Sequence, residues 1–422
     1  MRRWWLAALV PVLLAAFSAC GGDAPSQPSD APGKTLTVTA VPPSPVIAEI
    51  LRQVANLRGL PAPTTLKVAA VARGDVPALL DQALTESDRQ WFGRTTTLYR
   101  LLGFLRPDED YLSIYRAFAG SAVIGLYEPA TKTLYVVTGD GSGIDDLSAE
   151  EKETVAHELT HALQDAAFDL GQLSSRVQDN LDQNLAFTAL VEGDAVTNEQ
   201  LWARRSSAAG GGSLLFGRPA PFVSGVSAAI ERELRFPYTA GVEWVSGVRA
   251  AGGTAAIDAL FRDPPAGTSV VLHPELTAKG LRPEAVVLPP LEQGLGSDWR
   301  RESEGTLGEF VLRNFLQQSI RALDAVNAAA GWSGDHYAVY SSSTESLAVA
   351  RLRFGSTAER DRFASSLGDW LSANGGKDSG EATTLADGRQ VARVAAGSAD
   401  LIVVFGSKHA PAGRALALLA GG

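Results

Sequence analysis

A His-Glu-x-x-His pattern inside a helical run constrains this chain more than any other sequence feature. Residues four apart lie on one face of an α-helix, so His157 and His161 can present two imidazole nitrogens to one metal ion. Glu158 lies about a quarter turn away, where it can take a proton from a water held by the metal. The opposite face is apolar, and Ser148 with Glu three residues later predicts the helix start. The pattern predicts two of the three protein ligands of a catalytic zinc site.

The same residues have a purely structural alternative. Only five His occur in the whole chain, so the pairing is improbable by composition, but solvated helix faces also carry His and Glu. The helical context on both sides of the pattern favours metal binding.

The N-terminus has the pattern of an export signal. Arg2 and Arg3 precede an apolar run at 4–16, and Cys20, the single cysteine of the chain, follows a small-residue cleavage site. This resembles a bacterial lipobox, in which the cysteine becomes the lipidated first residue, although Phe17 stands where Leu is usual. A plain secretory signal and an uncleaved anchor are the alternatives. The apolar run is short for a membrane span.

Composition sets the rest of the expected organisation. We expect a signal peptide at 1–19, a flexible Pro/Gly/Ser/Asp tether at 20–34, a first folded region at 35–298 and a second at 299–422. The expected location is the outer face of the bacterial cytoplasmic membrane or the cell envelope. The net charge of −10, without any Lys/Arg run, argues against a nucleic-acid partner. One cysteine excludes a disulfide within the chain.

Hydrophobic periodicity predicts an α+β fold. In the first region it predicts strands at 36–41 and 66–71, a hairpin within 121–137, and helices at 46–57, 76–84, 88–104, 178–205, 228–234 and on to 250, with a break at Gly252 and Gly253. In the second region it predicts helices at 306–330 and 357–371, a closing helix, and strands at 337–340, 347–354, 390–394 and 401–405. The hairpin either offers an edge to which a peptide adds as a strand, or only closes the sheet.

A catalytic zinc site needs a third protein ligand and an open position for water. Glu192 follows His161 by 31 residues, enough for one helix to end and another to return antiparallel. Gly193 would let the two helices approach closely, and Asp194 is available to hydrogen-bond a ligand histidine. Asp182 and Glu199 in the same helical segment are competing carboxylates, but the setting favours Glu192.

These segments resemble those of gluzincin-type zinc metallopeptidases, which take two His from His-Glu-x-x-His and a Glu from a following helix. The similarity is greatest to an uncharacterised family of bacterial exported proteins, and its matching segments are 157–165, 192–195, 236–238, 273–275 and 331–335. The resemblance implies a mainly helical zincin-like core with a small β-sheet or hairpin before the motif helix. Val196 stands where several gluzincins have Asp, which weakens the role of Asp194.

The resemblance implies hydrolysis of a peptide bond with one zinc ion, Glu158 acting as general base. Tyr238 and His273 are the candidates for stabilising the oxyanion. A core aromatic and a loop histidine bonded to backbone are the respective structural alternatives.

We therefore expect a membrane-anchored peptidase with a peptide or protein substrate and no obligate protein partner. The alternative is a catalytically silent, zinc-stabilised envelope lipoprotein with a binding or assembly role. Retention of Glu158 favours the enzyme, because a structural site has no use for a general base. Hydrolysis of a non-peptide amide, such as a cell-wall crosslink, also stays open.

Overall fold

A computed structural model describes residues 36, 38–122, 125–138, 144–208, 225–280 and 282–420. The fold is α+β, as the periodicity predicts. The predictions of a signal peptide, of lipidation at Cys20 and of a tether at 20–34 lie outside the described residues. Below, the N-terminal region is residues 36–298 and the C-terminal region is residues 299–420.

Helices dominate the N-terminal region. They are α1 (Pro45–Arg58), α2 (Val76–Ala83), α3 (Glu86–Leu102), α4 (Tyr111–Ala122), α5 (Ala149–Phe168), α6 (Leu170–Val177), α7 (Leu181–Ala208), α8 (Ala228–Phe236), α9 (Val242–Arg262), α10 (Thr268–Leu272), α11 (Pro274–Lys279) and α12 (Glu292–Leu295). The capping box predicted for α5 is confirmed: the Ser148 hydroxyl accepts from the Glu151 N–H, and the Glu151 carboxylate accepts from the Ser148 N–H. α1 ends at Gly59, whose φ of 77° is the left-handed conformation typical of a helix C-terminus.

The strands of this region are β1 (Lys67–Ala72), β2 (Gly125–Glu128) and β3 (Thr133–Thr138), in the order β1-β3-β2. β1 runs parallel to β3, and β2 with β3 forms the predicted antiparallel hairpin. The strand predicted at 36–41 is reduced, among its described residues, to a single bridge between Val41 and Val68. β1 and β2 are the two edge strands of this small sheet, and β2 lies against α5.

Helices α5 and α7 pack side by side, and α1 lies across both. The central part of α5, from Glu153 to Asp165, is buried on every face. Apolar residues of α1 and α5, including Ile50, Val54 and Leu159, form a core together with β1 and β3. Helix α5, which carries the His-Glu-x-x-His pattern, is therefore packed on all sides.

The C-terminal region contains a seven-stranded antiparallel sheet in the order β4-β5-β6-β10-β9-β8-β7. Its strands are β4 (Arg300–Gly305), β5 (Trp332–Ser341), β6 (Ser346–Phe354), β7 (Lys377–Asp378), β8 (Thr383–Thr384), β9 (Gln390–Ala396) and β10 (Asp400–Gly406). Its helices are α13 (Gly308–Leu316), α14 (Ala322–Ala329), α15 (Thr357–Ala373) and α16 (Ala412–Ala420). The single helix predicted at 306–330 is wrong, because it is two helices, α13 and α14.

One apolar core crosses the division between the two regions. It joins residues of α3, α7 and α8 to residues of α13, α15 and the seven-stranded sheet. At the contact, the rings of Phe236 in α8 and Phe310 in α13 have centroids 4.2 Å apart. Within the part of the chain that is described, no helix combines the length and apolar character needed to cross a membrane.

Candidate metal centre

Helices α5 and α7 bring three metal-ligating side chains together, as the sequence predicts. His157 Nε2 lies 3.1 Å from His161 Nε2, and Glu192 Oε2 lies 3.3 Å from the first and 3.7 Å from the second. Tetrahedral zinc with ligands at 2.0–2.1 Å places neighbouring ligand atoms about 3.3 Å apart. The three atoms therefore have the spacing of one zinc coordination face, and they form the candidate metal cluster of the described chain.

Hydrogen bonds behind the two imidazoles decide which nitrogens face the cluster. His157 Nδ1 lies 3.1 Å from the Glu199 carboxylate, and His161 Nδ1 lies 2.9 Å from Gln164 Oε1. Both partners accept, so each Nδ1 carries a hydrogen and donates. Each Nε2 then directs a lone pair at the cluster, which is the tautomer a metal needs.

The cluster requires a positive charge at its centre. His157, His161 and Glu192 are 0–1 % exposed, and the Glu192 carboxylate faces the two Nε2 atoms. Burial alone would lower the pKa of His157, but Glu192 and Glu199 outweigh it and raise that pKa to about 10. A proton can therefore supply the charge, and so can a metal ion that displaces it. Two nitrogens and one buried carboxylate oxygen are a donor set that fits zinc.

Glu158 lies beside the cluster with its carboxylate against the edge strand. Its Oε2 accepts a 2.8 Å hydrogen bond from the backbone N–H of Tyr127 in β2. A Cβ on Gly125 would come within 3.1 Å of Glu158 Cγ, so glycine lets the strand pass this close. Burial raises the pKa of Glu158, and the two histidines oppose that shift. A carboxylate with a raised pKa is a stronger base near neutral pH.

Asp165 fixes the hairpin on α5. This buried carboxylate, two turns after Glu158, accepts from the Tyr127 hydroxyl at 2.7 Å and from Lys132 Nζ at 2.6 Å. Lys132 itself has a φ of 55°, the left-handed conformation, in the hairpin turn. Together with the Tyr127–Glu158 bond, these contacts set the position of β2 relative to the cluster.

Tyr238 reaches the cluster from a π-helical segment, Pro237–Gly241, that continues α8 into α9. Burial raises the pKa of the Tyr238 phenol, and the neighbouring carboxylate of Glu192 raises it further. The hydroxyl therefore stays protonated as a donor at neutral pH. The sequence predicts helices at 228–234 and on to 250, and the π-helical turn joins them without a break. Such turns are frequent at functional sites.

Gly193 has a different role from the predicted one. A Cβ at this position would lie 2.5 Å from the backbone oxygen of Gly241, and a Cβ on Gly241 would lie 2.6 Å from that of Ala189. The two glycines therefore let the π-helical segment, rather than α5, approach α7. This close contact positions Tyr238 over Glu192.

The structure does not support two of the predicted roles. Asp194 does not contact a ligand histidine: its Oδ2 accepts from Gln164 Nε2 at 3.0 Å and from Arg58 Nε at 2.7 Å. Glu199, five residues further along α7, contacts His157 Nδ1 instead. His273, between α10 and α11, places Nε2 2.8 Å from the Glu309 carboxylate. Its neighbours Glu309, Glu275 and Arg313 are not cluster residues, so we no longer assign His273 to the oxyanion.

Sequence reasoning missed the partners behind the histidines. Gln164 follows His161 by three residues and Glu199 follows Glu192 by seven, which are spacings that keep residues on one helix face. These spacings could have identified both partners from the sequence. Arg58 has no such signal, because it lies 136 positions from Asp194.

A model for a domain of unknown function, DUF8575, matches residues 296–414, from just before β4 into α16. This match covers the C-terminal region and leaves out the metal cluster. The chain matches no curated protein. It also matches no solved structure.

Proposed function

We propose that the chain is a zinc-dependent metallopeptidase of the gluzincin type. The observation that carries the proposal is the arrangement of His157, His161 and Glu192 at metal-ligand spacing with Glu158 beside them. A closed structural zinc site takes four protein ligands, whereas this cluster offers three and a neighbouring base. The edge strand beside α5 and the glutamate on α7 are consistent with a zincin-like core.

Bound zinc would supply Lewis acidity, polarising a scissile carbonyl and acidifying water. The chain's own residues do the rest. Glu158 accepts the proton of the attacking water and passes it to the leaving amine. The Tyr238 hydroxyl donates to the oxygen that becomes negative. Glu199 and Gln164 hold the two imidazoles in the tautomer that leaves Nε2 free to bind.

The backbone of β2 is the proposed docking edge for an extended substrate. A peptide that adds as a strand to this edge competes with Glu158 for the Tyr127 N–H. Substrate binding would therefore free the carboxylate that acts as base. Together with the export signal that the sequence predicts at 1–19, this leads us to propose a lipid-anchored enzyme that cuts peptides outside the cytoplasmic membrane.

One observation favours the alternative, a silent zinc-stabilised lipoprotein that binds rather than cuts. The three ligands and Glu158 are all 0–1 % exposed, so a substrate reaches them only after β2 or the Tyr238 segment shifts. A protein that never opens would keep the metal as a structural element.

The test compares the wild-type chain with Glu158→Gln. The full chain is purified, its zinc content is measured, and both proteins are incubated with a peptide library read by mass spectrometry. We expect equal zinc content and a loss of cleavage of about 10²–10⁴-fold in the variant, because only proton transfer is removed.

Glu153→Gln is the matched control, since it changes another buried glutamate of α5 one turn away from the cluster. It should cleave the library as wild type does. If the wild-type chain binds zinc and yet gives no cleavage product that is absent with Glu158→Gln, the peptidase assignment fails and the binding alternative replaces it.

A further inference from the structure

A chain of buried polar side chains connects the metal cluster to the C-terminal end of α1. His161 Nδ1 lies 2.9 Å from Gln164 Oε1, Gln164 Nε2 donates to Asp194 Oδ2 at 3.0 Å, and Arg58 Nε donates to the same oxygen at 2.7 Å. Arg58 also lies 2.8 Å from the Asp258 carboxylate of α9. Arg58, Gln164 and Asp194 are each 0 % exposed. We call Arg58, Asp194 and Gln164 the relay.

The Gln164 amide can take only one orientation in this setting. Its Nε2 faces two acceptors, the Val191 carbonyl at 3.1 Å and the Asp194 carboxylate. The reverse orientation would place an oxygen against both acceptors and a donor against the His161 ring. Asp194 and Val191 therefore fix Oε1 toward Nδ1, and this fixes the hydrogen on Nδ1 and the lone pair on Nε2.

Arg58 is not needed simply to dock α1. Ile47, Ile50 and Val54 of that helix are 0–4 % exposed in the apolar core with α5, so packing already holds it. A fully buried arginine is costly, and an apolar replacement of similar volume is often as stable. Its position is explained by what it binds: it holds the Asp194 carboxylate in place as the acceptor for Gln164.

We propose that Arg58, Asp194 and Gln164 are positioning residues of the metal centre, which orient His161 for the metal and make metal affinity depend on the docking of α1. The inference rests on the proposed function only in that the cluster binds a metal. It does not require that any peptide be cut. Outer partners of ligand histidines typically change metal affinity by about 10–100-fold when removed.

The experiment measures the dissociation constant for Zn²⁺ of the full chain by competition with a chromophoric chelator. Gln164→Leu should bind zinc about 10–100-fold more weakly than wild type. Asp194→Asn and Arg58→Met should weaken binding by a smaller factor, and Arg58→Lys should recover part of it, since an ammonium keeps the charge. Asp400→Asn, which removes a buried carboxylate from an arginine pair in the C-terminal region, should leave zinc affinity unchanged.

A second readout separates positioning from loss of stability. In the zinc-loaded chain with ¹⁵N-labelled histidine, the Nδ1 hydrogen of His161 should exchange slowly with solvent, and Gln164→Leu should abolish that protection. Asp400→Asn should preserve it. If Arg58→Met does not fold, Gln164→Leu and Arg58→Lys still decide the question.

The outcomes are distinct. Equal zinc affinity in wild type and Gln164→Leu overturns the relay and leaves the peptidase proposal standing. Zinc binding that depends on the relay, in a chain that cuts no peptide, supports the relay and overturns the peptidase. A wild-type chain that binds no zinc overturns both.

Discussion

Two buried carboxylates of the C-terminal region and the buried Glu192 of the N-terminal region differ in what surrounds their oxygens. In the C-terminal region, Asp335 accepts from the Leu307 and Gly308 N–H groups and from the Trp332 indole, all within 2.9 Å. Asp400 accepts from Arg351 and Arg353. Both oxygens of each carboxylate are therefore satisfied by the protein.

In the N-terminal region, Glu192 is just as buried, and its Oε2 faces His157 Nε2 at 3.3 Å and His161 Nε2 at 3.7 Å. Leaving a buried charge without a partner costs several kcal/mol. Its closest neighbours are the imidazoles of His157 and His161, which need a cation between them and the carboxylate. The comparison teaches that a buried carboxylate paired by backbone, indole and arginine donors stabilises the fold, whereas one that faces two imidazole nitrogens at metal-ligand spacing is a candidate metal ligand.

The largest expected effect is that zinc stabilises the chain through the N-terminal region alone. At a free zinc concentration of about 1,000 times the dissociation constant, the free energy of unfolding should rise by about 4 kcal/mol. His161→Ala should abolish this gain, because two ligands remain of three. Urea unfolding with and without zinc measures it. Without zinc, Asp400→Asn should be less stable than wild type, but zinc should raise its free energy of unfolding by the same amount. An equal rise in His161→Ala would show that zinc does not bind at the cluster.

The next effect separates two tyrosines, the half-buried Tyr238 and the buried Tyr340. Tyr238 faces the cluster, whereas Tyr340 in β5 accepts a hydrogen bond from the Leu291 N–H at 3.2 Å. Tyr238→Phe should lower kcat on a cleaved peptide by about 10²-fold, as loss of an oxyanion donor does, with little change in zinc affinity. Tyr340→Phe should leave kcat unchanged and lower the free energy of unfolding by about 1 kcal/mol. Equal kcat values in the two variants would make Tyr238 a core aromatic.

The sequence predicted best where structure depends on local pattern. The juxtaposition of His157 and His161 on α5 follows from helical spacing, and the start of α5 follows from Ser148 and Glu151. Glu192 follows from the room needed for a second helix to return. These parts of the site need no knowledge of distant contacts.

The features that the sequence did not predict depend on packing between distant segments, or on helix boundaries that no Gly or Pro marks. Residues 317–321, Gln-Gln-Ser-Ile-Arg, contain neither Gly nor Pro, so the division between α13 and α14 gives no sequence signal. β4 reads Arg-Arg-Glu-Ser-Glu-Gly, without apolar alternation, and exists because β5 pairs with it. Pro237 does not interrupt the helix, because proline is tolerated in the first turn of a helical segment, but the sequence does not show that this segment is π-helical and positions Tyr238.

The smallest effect is a difference in the pH dependence of stability between Asp182, at the start of α7, and Asp400. Burial raises the pKa of Asp182 to about 7, reinforced by Asp335 and Glu309 and opposed by the Thr268 hydrogen bonds. Arg353 lowers the pKa of Asp400. The two carboxyl groups should therefore give opposite slopes in a plot of stability against pH.

For Asp182 the folded chain keeps the proton that the unfolded chain loses near pH 4, so its contribution is complete below pH 4 and disappears as the pH rises to about 7. The slope is on the order of 1 kcal/mol per pH unit between these limits. Asp182→Asn should remove the contribution of Asp182 to the pH dependence of the free energy of unfolding. Part of that dependence should remain, because the pKa values of Glu233 and Asp335 are also raised. Asp400→Asn should leave the pH dependence of stability between pH 4 and 7 unchanged. Below pH 4, wild type should lose stability as Asp400 is protonated, and the variant should not show this loss. Urea unfolding of chelator-treated protein at pH 3–7 measures both, and parallel curves for wild type and Asp182→Asn would show that Asp182 is ionised in the folded chain.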